Sequence, residues 1–415
     1  MRKNLLTIIG PGILVAATGI GAGDLATAAF SGSKLGVAIL WAVIVGALFK
    51  FILNEGLARW QLATGSTLIE GAMQNLGRLT QYIFLIYLLI WSFMVAAALM
   101  SACGVTAQAI FPLADNPSKG KIVYGILLSL GGIVLVRLGG FRLFEKIMSI
   151  CIALMFITVV VTAFILVRDW NALIQGLFIP SIPQINHEGL DWTVALIGGV
   201  GGTVTILCYG YWIREEGRFG DADLKNSRID LAISYLMTAL FGLSMVIIGN
   251  SIDIEGQGAT LVIKLADRLV DKLGLLGKWA FILGAFGAVF SSLLGVWQSV
   301  PYLFVDLWDL ITGDQTSKNR KIDTESKPYR WYLYTMGVIP MIGLWIGFAR
   351  MQKLYAILGA LFIPMLAIVL LLLNSREKWI GKQHRNHPLT SFLLIVILLF
   401  FLIVFWLTIN KVLGI

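Results

Sequence analysis

The sequence predicts an all-α membrane protein with eleven transmembrane helices in one integrated domain, residues 1–415, and three observations carry that expectation. Hydrophobic residues make up 58% of the chain and charged residues 13%, where a soluble domain carries roughly 25% charged residues. The apolar residues fall into long uncharged stretches rather than the short periodic runs of a soluble core. Two of these stretches contain concentrated glycine at matching places in the chain. Together with a mean hydropathy of +0.85, this excludes a soluble fold, a disordered tail protein and a nucleic-acid-binding domain.

A helix needs about 20 apolar residues to cross the hydrocarbon core, and most of the stretches reach that length. The first lies between Lys3 and Asp24, and the second runs from Leu35 to about Leu53, interrupted only by Lys50. Others are bounded by Arg78 and Asp115, Lys121 and Arg137, Lys146 and Arg168, Asp191 and Arg214, and Asp230 and Asp253. The last four lie between Lys278 and Asp306, Arg330 and Arg350, Lys353 and Arg376, and Arg385 and Lys411. Met1-Arg2-Lys3 followed by an apolar run has the layout of a signal peptide, but the run continues through a Gly-rich break that fits a helix kept in the fold. The polar stretch from Asp306 to Arg330 reads as a solvated linker.

The formal net charge of +9 is explained by orientation. With the N-terminus inside and the C-terminus outside, 20 of the 32 Lys and Arg fall in cytoplasmic segments, 11 on the other side, and Lys50 is ambiguous. That asymmetry is the positive-inside pattern of a cell-membrane protein, plasma or inner, and no nucleic-acid partner is implied; the expected partner is the lipid bilayer. Cys103, Cys151 and Cys208 all lie inside predicted spans, where small-residue packing is the ordinary role. No HExxH, GxSxG or Walker A motif is present, so an enzyme is not expected, nor a resident cofactor.

Backbone polar groups in a bilayer need internal partners, so irregular backbone is tolerated only where it is packed in protein or lines a cavity. Glycines gather at Thr18-Gly19-Ile20-Gly21-Ala22-Gly23-Asp24 and at Gly198-Gly199-Val200-Gly201-Gly202-Thr203-Val204-Thr205. These are the first and sixth spans, equivalent positions if residues about 8–170 and 190–375 form two inverted repeats with an extra helix at 389–413. Paired Gly-interrupted spans of this kind mark the binding site of an inverted-repeat secondary transporter. Ala17 with Gly21, and Gly198 with Gly202, also satisfy the small-xxx-small spacing of a packing seam. Asp24 favours the site: a carboxylate within a spanning segment costs at least about 3 kcal/mol on insertion scales. Glu55 and Arg59 are four apart and can pair, Lys50 can extend toward an interface, and the three form a candidate gating ion network at the end of a helix.

The residues from Gly10-Pro11-Gly12 to Gly65, including Leu25-Ala26-Thr27, Leu40-Trp41 and Leu62-Ala63-Thr64-Gly65, resemble the first two helices of the NRAMP family of divalent-metal transporters. Ile363-Pro364 and the stretch Leu373-Asn374-Ser375-Arg376-Glu377-Lys378-Trp379-Ile380-Gly381 are similar to the family at its tenth helix, and Ser291-Ser292 and Arg228-Ile229-Asp230 fit as well. The resemblance covers nearly the whole chain. It implies the leucine-transporter-like 5+5 inverted repeat with unwound helices 1 and 6, moving divalent metal as cargo by alternating access.

The family's metal motifs are altered. Its Asp-Pro-Gly-Asn aligns with Gly21-Ala22-Gly23-Asp24, and the methionine of its sixth helix aligns with Thr205, followed by Ile206 and Leu207 where Pro-His is expected. Gly202 and Thr205 resemble an NRAMP-related magnesium-transporter branch, although that branch keeps the Asp and Asn of helix 1. The expected site is therefore Asp24, Thr205 and the backbone of Gly21, Ala22, Gly23 and Gly202, with Ile20, Thr203, Cys208 and Tyr209 lining it. Such an all-oxygen site suits Mg²⁺ or Mn²⁺ better than softer ions. The acids of the family's third helix align with Val95, Ala102 and Val105, so no carboxylate proton relay is expected there. The alternative is a same-fold transporter of a small organic or inorganic solute, using helix dipoles or Tyr209, Tyr211 and Trp212.

Overall fold

The computed structural model describes residues 10–19, 21, 23–113, 115–252, 260–313 and 323–413. Among them the chain is helical throughout, without strands. It opens with α1 (Gly10–Gly19), a π turn at Gly23–Thr27, α2 (Ala28–Leu35) and α3 (Leu40–Thr64). Helical structure does not end at Asp24 but continues beyond it, so Gly19, Gly21 and Gly23 lie at the junction of two helical segments. Gly65 closes α3 in the left-handed conformation, its amide donating to the Gln61 carbonyl at 2.8 Å. Thr67 and Glu70 then start α4 (Leu68–Leu76) with a reciprocal capping box, 3.1 and 2.6 Å.

Next come α5 (Arg78–Ile110), α6 (Pro117–Leu166), α7 (Trp170–Phe178), α8 (Leu190–Gly199), α9 (Cys208–Glu215) and α10 (Asp221–Gly249). The remainder is α11 (Leu261–Thr312), α12 (Lys327–Val338), α13 (Phe348–Ala360), α14 (Phe362–Asn374), α15 (Glu377–Ile380) and α16 (Pro388–Leu413). The fourth and fifth predicted spans are continuous in α6, and α7 turns away from it by 119°. Helix α11 breaks at Gly274, φ +64°, and continues to Thr312, so Asp306 is a partly buried helical residue rather than the start of a linker. The predicted span after Arg330 runs as α12 and then a 3-10 segment, Ile339–Trp345, because Pro340 lacks the amide that would continue the α-helix. Eight helices among the described residues are long and apolar enough to cross a membrane, nine with the bent pair.

Helices α5, α6 and α11 pack together, α10 lies against α2 and α3, α13 against α8, and α16 attaches at the edge through α14 and α3. Close crossings use glycine: Gly32 meets the backbone of Val246, Gly249 that of Ala29, and Gly198 that of Ala356. The packing role considered for Gly198 is thus real. Outward, Ile86, Phe164, Leu402 and Trp406 are more than half exposed, an apolar girdle that a water-soluble surface would not present.

Candidate functional site

The glycines put two chain breaks side by side. Helix α8 stops at Gly199; Gly201 and Gly202 take φ of +77° and +81°, a region that favours glycine, and the chain resumes as a 3-10 turn at Val204–Leu207. On the other element α1 ends at Gly19 and Asp24 rides in the π turn, which packs against α8, α10 and α13. Asp24 is fully buried, and its Oδ2 accepts the Gly201 amide at 3.2 Å. Its Oδ1 faces the open side of Gly242 and has no hydrogen-bond partner among the described residues. An unclaimed oxygen on a buried carboxylate is a costly arrangement to leave inside a protein, and such groups concentrate at functional sites.

Lys50 departs from the sequence expectation. It does not reach an interface or join Glu55 and Arg59; it is fully buried in α3, and its ammonium donates to the carbonyls of Gly198, at 2.7 Å, and Val200. These are the acceptors released where α8 ends, at the negative end of its dipole. The ammonium also interacts electrostatically with Asp24. Glu55 and Arg59 do pair, at 3.3 Å, and Glu55 takes Arg228 from α10 at 2.8 Å. The expected three-residue network is therefore two separate sets.

The other expected residues divide as well. Gly21 is a tight spot, since a Cβ there would strike the Ser292 side chain, and its carbonyl already accepts the Leu25 amide at 3.0 Å. Gly23 begins the π turn; Ile20 and Ala22 lie outside the described residues. Thr203 is buried opposite Tyr355. Thr205 is buried in the 3-10 turn, which packs against α1, α3 and α11, and no hydrogen bond joins it to Asp24. Cys208 is a buried free thiol at the start of α9. Tyr209 is engaged elsewhere: its hydroxyl donates to Asp230 at 2.9 Å, and Asp230 also receives the Gly12 amide and Arg218.

Sequence reasoning missed Tyr235, Asn54 and Tyr355. Asn54 donates to the Tyr235 hydroxyl at 3.1 Å, and both tyrosines lie within electrostatic reach of Asp24. Two further carboxylates lie inside the helical bundle, Asp230 fully buried and Asp306 partly so. Asp306 accepts Thr67 at 2.8 Å and the Tyr211 hydroxyl, tying α11 to α9 and to the start of α4.

Fold and site together define a helical membrane protein of the transporter class, with two adjacent helix breaks around a buried acid. The chain belongs to the family described as natural resistance-associated macrophage protein-like, which it matches over residues 12–411. It is 24% identical to a metal transporter nramp1 homolog of Dictyostelium discoideum, covering 99% of this chain and 77% of that protein. With the divalent metal cation transporter MntH of Verminephrobacter eiseniae the identity is 23%, over 69% of this chain and 66% of the relative. Its fold is that of the Eremococcus coleocola manganese transporter, seen in the crystal structure of a mutant of that protein: TM-score 0.72, 17% identity, covering 99% and 86% of the two chains. The structure of MhsT in complex with L-phenylalanine is also similar, TM-score 0.64 at 14% identity, covering 96% and 98%.

Proposed function

We propose that this protein is a secondary transporter that moves divalent cations, with preference for the hard ions Mg²⁺ or Mn²⁺, by alternating access about the breaks at Gly19–Gly23 and Gly199–Val204. The observation that carries the reading is the buried Asp24 carboxylate, with one oxygen on the Gly201 amide and the other unclaimed. Asp24 supplies charge to the ion, Thr205 and the carbonyls of the two breaks supply further oxygens, and no thioether or imidazole is needed. The metal is cargo, not a resident cofactor. In this reading the chain has eleven spans in two inverted repeats, about 8–170 and 190–375, with 389–413 added, the N-terminus cytoplasmic and the C-terminus outside the cell membrane. Coupling does not run along α5, where Val95, Ala102 and Val105 are buried apolar residues.

The test is uptake of Mn²⁺ and Mg²⁺ into proteoliposomes by the wild type, Asp24→Asn and Asp24→Ala. Both variants should lose uptake while retaining the wild-type elution profile; uptake unchanged in Asp24→Ala refutes the assignment. A second reading rests on Lys50, which already balances Asp24 and so suits a cargo without net charge. Stabilisation by zwitterionic amino acids in a thermal-shift panel, with no response to divalent ions, selects that reading.

A further inference from the structure

The divalent-cation reading gives Lys50 no role. Its side chain comes from α3, crosses to the broken end of α8, and places a cation against the Gly198 and Val200 carbonyls, one residue before the Gly201 amide that Asp24 accepts. Tyr235 from α10, held by Asn54, and Tyr355 from α13 lie within electrostatic reach of Asp24. The acceptors that a free cation would use at this break are therefore occupied by a cation belonging to the protein.

The consequence concerns the carrier when it is empty. A carboxylate buried alone in a low-dielectric interior is strongly unfavourable, and removing one partner of a buried pair leaves that penalty exposed. With Lys50 in place the empty site carries no net charge. An arriving divalent ion adds positive charge where an ammonium already stands, and the flexible four-carbon stem lets that ammonium leave the carbonyls. We propose that Lys50 is a tethered cation that fills the broken-helix site between cargo ions and thereby allows the empty transporter to return across the membrane. The proposal rests on the reading of Asp24 as the cargo-binding acid.

Two measurements decide it. In proteoliposomes, net Mn²⁺ uptake needs the empty carrier to return, whereas exchange of external radiolabelled Mn²⁺ for internal Mn²⁺ does not. Lys50→Met should lower net uptake by more than about tenfold and exchange by much less, and Lys50→Arg, which keeps the charge, should recover net uptake in part. Equal losses of exchange and net uptake in Lys50→Met overturn the proposal. The second measurement needs no cargo: melting temperatures of wild type, Lys50→Met, Asp24→Asn and the double variant, in detergent with chelator. The double variant should recover most of the loss seen in Lys50→Met; additive losses show that the two charges are not coupled and overturn the proposal. If the wild type moves no divalent ion in either mode, the cargo assignment fails, and the melting cycle still judges the Lys50–Asp24 pair.

Discussion

Both carboxylate oxygens of Asp230 lie 3.0 Å from the amide nitrogen of Gly12, so the first turn of α1 is fastened to α10 by an acid 218 residues away. Tyr209 of α9 donates to the same carboxylate at 2.9 Å and Arg218 at 3.2 Å. A free helix N-terminus has unpaired amides and a positive dipole end, which a carboxylate satisfies on both counts. Gly12 is required, because a Cβ there would meet Asp230 and Ser234.

Asp230→Ala should therefore be severe. It removes the carboxylate that buried Arg218 bonds at 3.2 Å, a change that costs up to about 3–5 kcal/mol, eased here by Glu216 at 4.0 Å. We expect a lower melting temperature and faster hydrogen exchange in α1. A melting temperature equal to wild type would show that the cluster holds nothing.

Gly21 and Ser292 make a second pair with a direct test. Gly21→Ala drives its new methyl into the Ser292 side chain, and overpacking of this kind costs about 1–3 kcal/mol. Because the strain falls on the turn leading to Asp24, uptake should drop by roughly tenfold or more. Gly21→Ala with Ser292→Gly should regain much of it. A double variant no better than Gly21→Ala shows that the clash is not the cause.

Much of this arrangement is legible in the sequence, for physical reasons. Glycine clusters and an aspartate are conspicuous in apolar spans, and they mark both breaks and Asp24. Lys50 is conspicuous too, but proximity in sequence joins it to the wrong neighbours. At about 100° per residue, Lys50 and Glu55 point about 140° apart on α3, whereas Glu55 and Arg59 are about 40° apart. Helical phase alone thus separates Lys50 from the pair. Its true partners, Gly198 and Val200, lie 148 and 150 residues away, and no local pattern announces them. The same distance in sequence hides the attachment of Gly12 to Asp230.

Acid sensitivity is expected at one carboxylate outside the spans. Lys353 bonds Glu188 at 3.1 Å and holds its carboxyl below the usual range. Because the folded value is depressed, this stabilisation is complete above the unfolded carboxylate value and is lost as pH falls through the folded one. Glu188 is well exposed, so the contribution is under about 1 kcal/mol. Glu188→Gln should lower the melting temperature slightly near neutral pH and match wild type in strong acid. A gap that stays constant between the two conditions contradicts the ion pair as its source.

Gly201 separates conformation from crowding. Its φ of +77° costs a substituted residue roughly 1–2 kcal/mol. In addition a Cβ would sit 3.1 Å from Tyr235 Cε1 and 3.2 Å from Thr238 Cγ2, close enough to displace the amide that Asp24 accepts. Gly313 supplies the control: its φ is +82° at the end of α11, and a Cβ there meets nothing within 4 Å among the described residues. Gly313→Ala should cost about 1 kcal/mol and leave uptake nearly intact. Gly201→Ala should cost more and abolish uptake, because it disturbs the only hydrogen bond that Asp24 makes among the described residues. Equal effects of the two substitutions on stability and uptake would mean that Gly201 matters for its backbone angle alone and that its amide does not position Asp24.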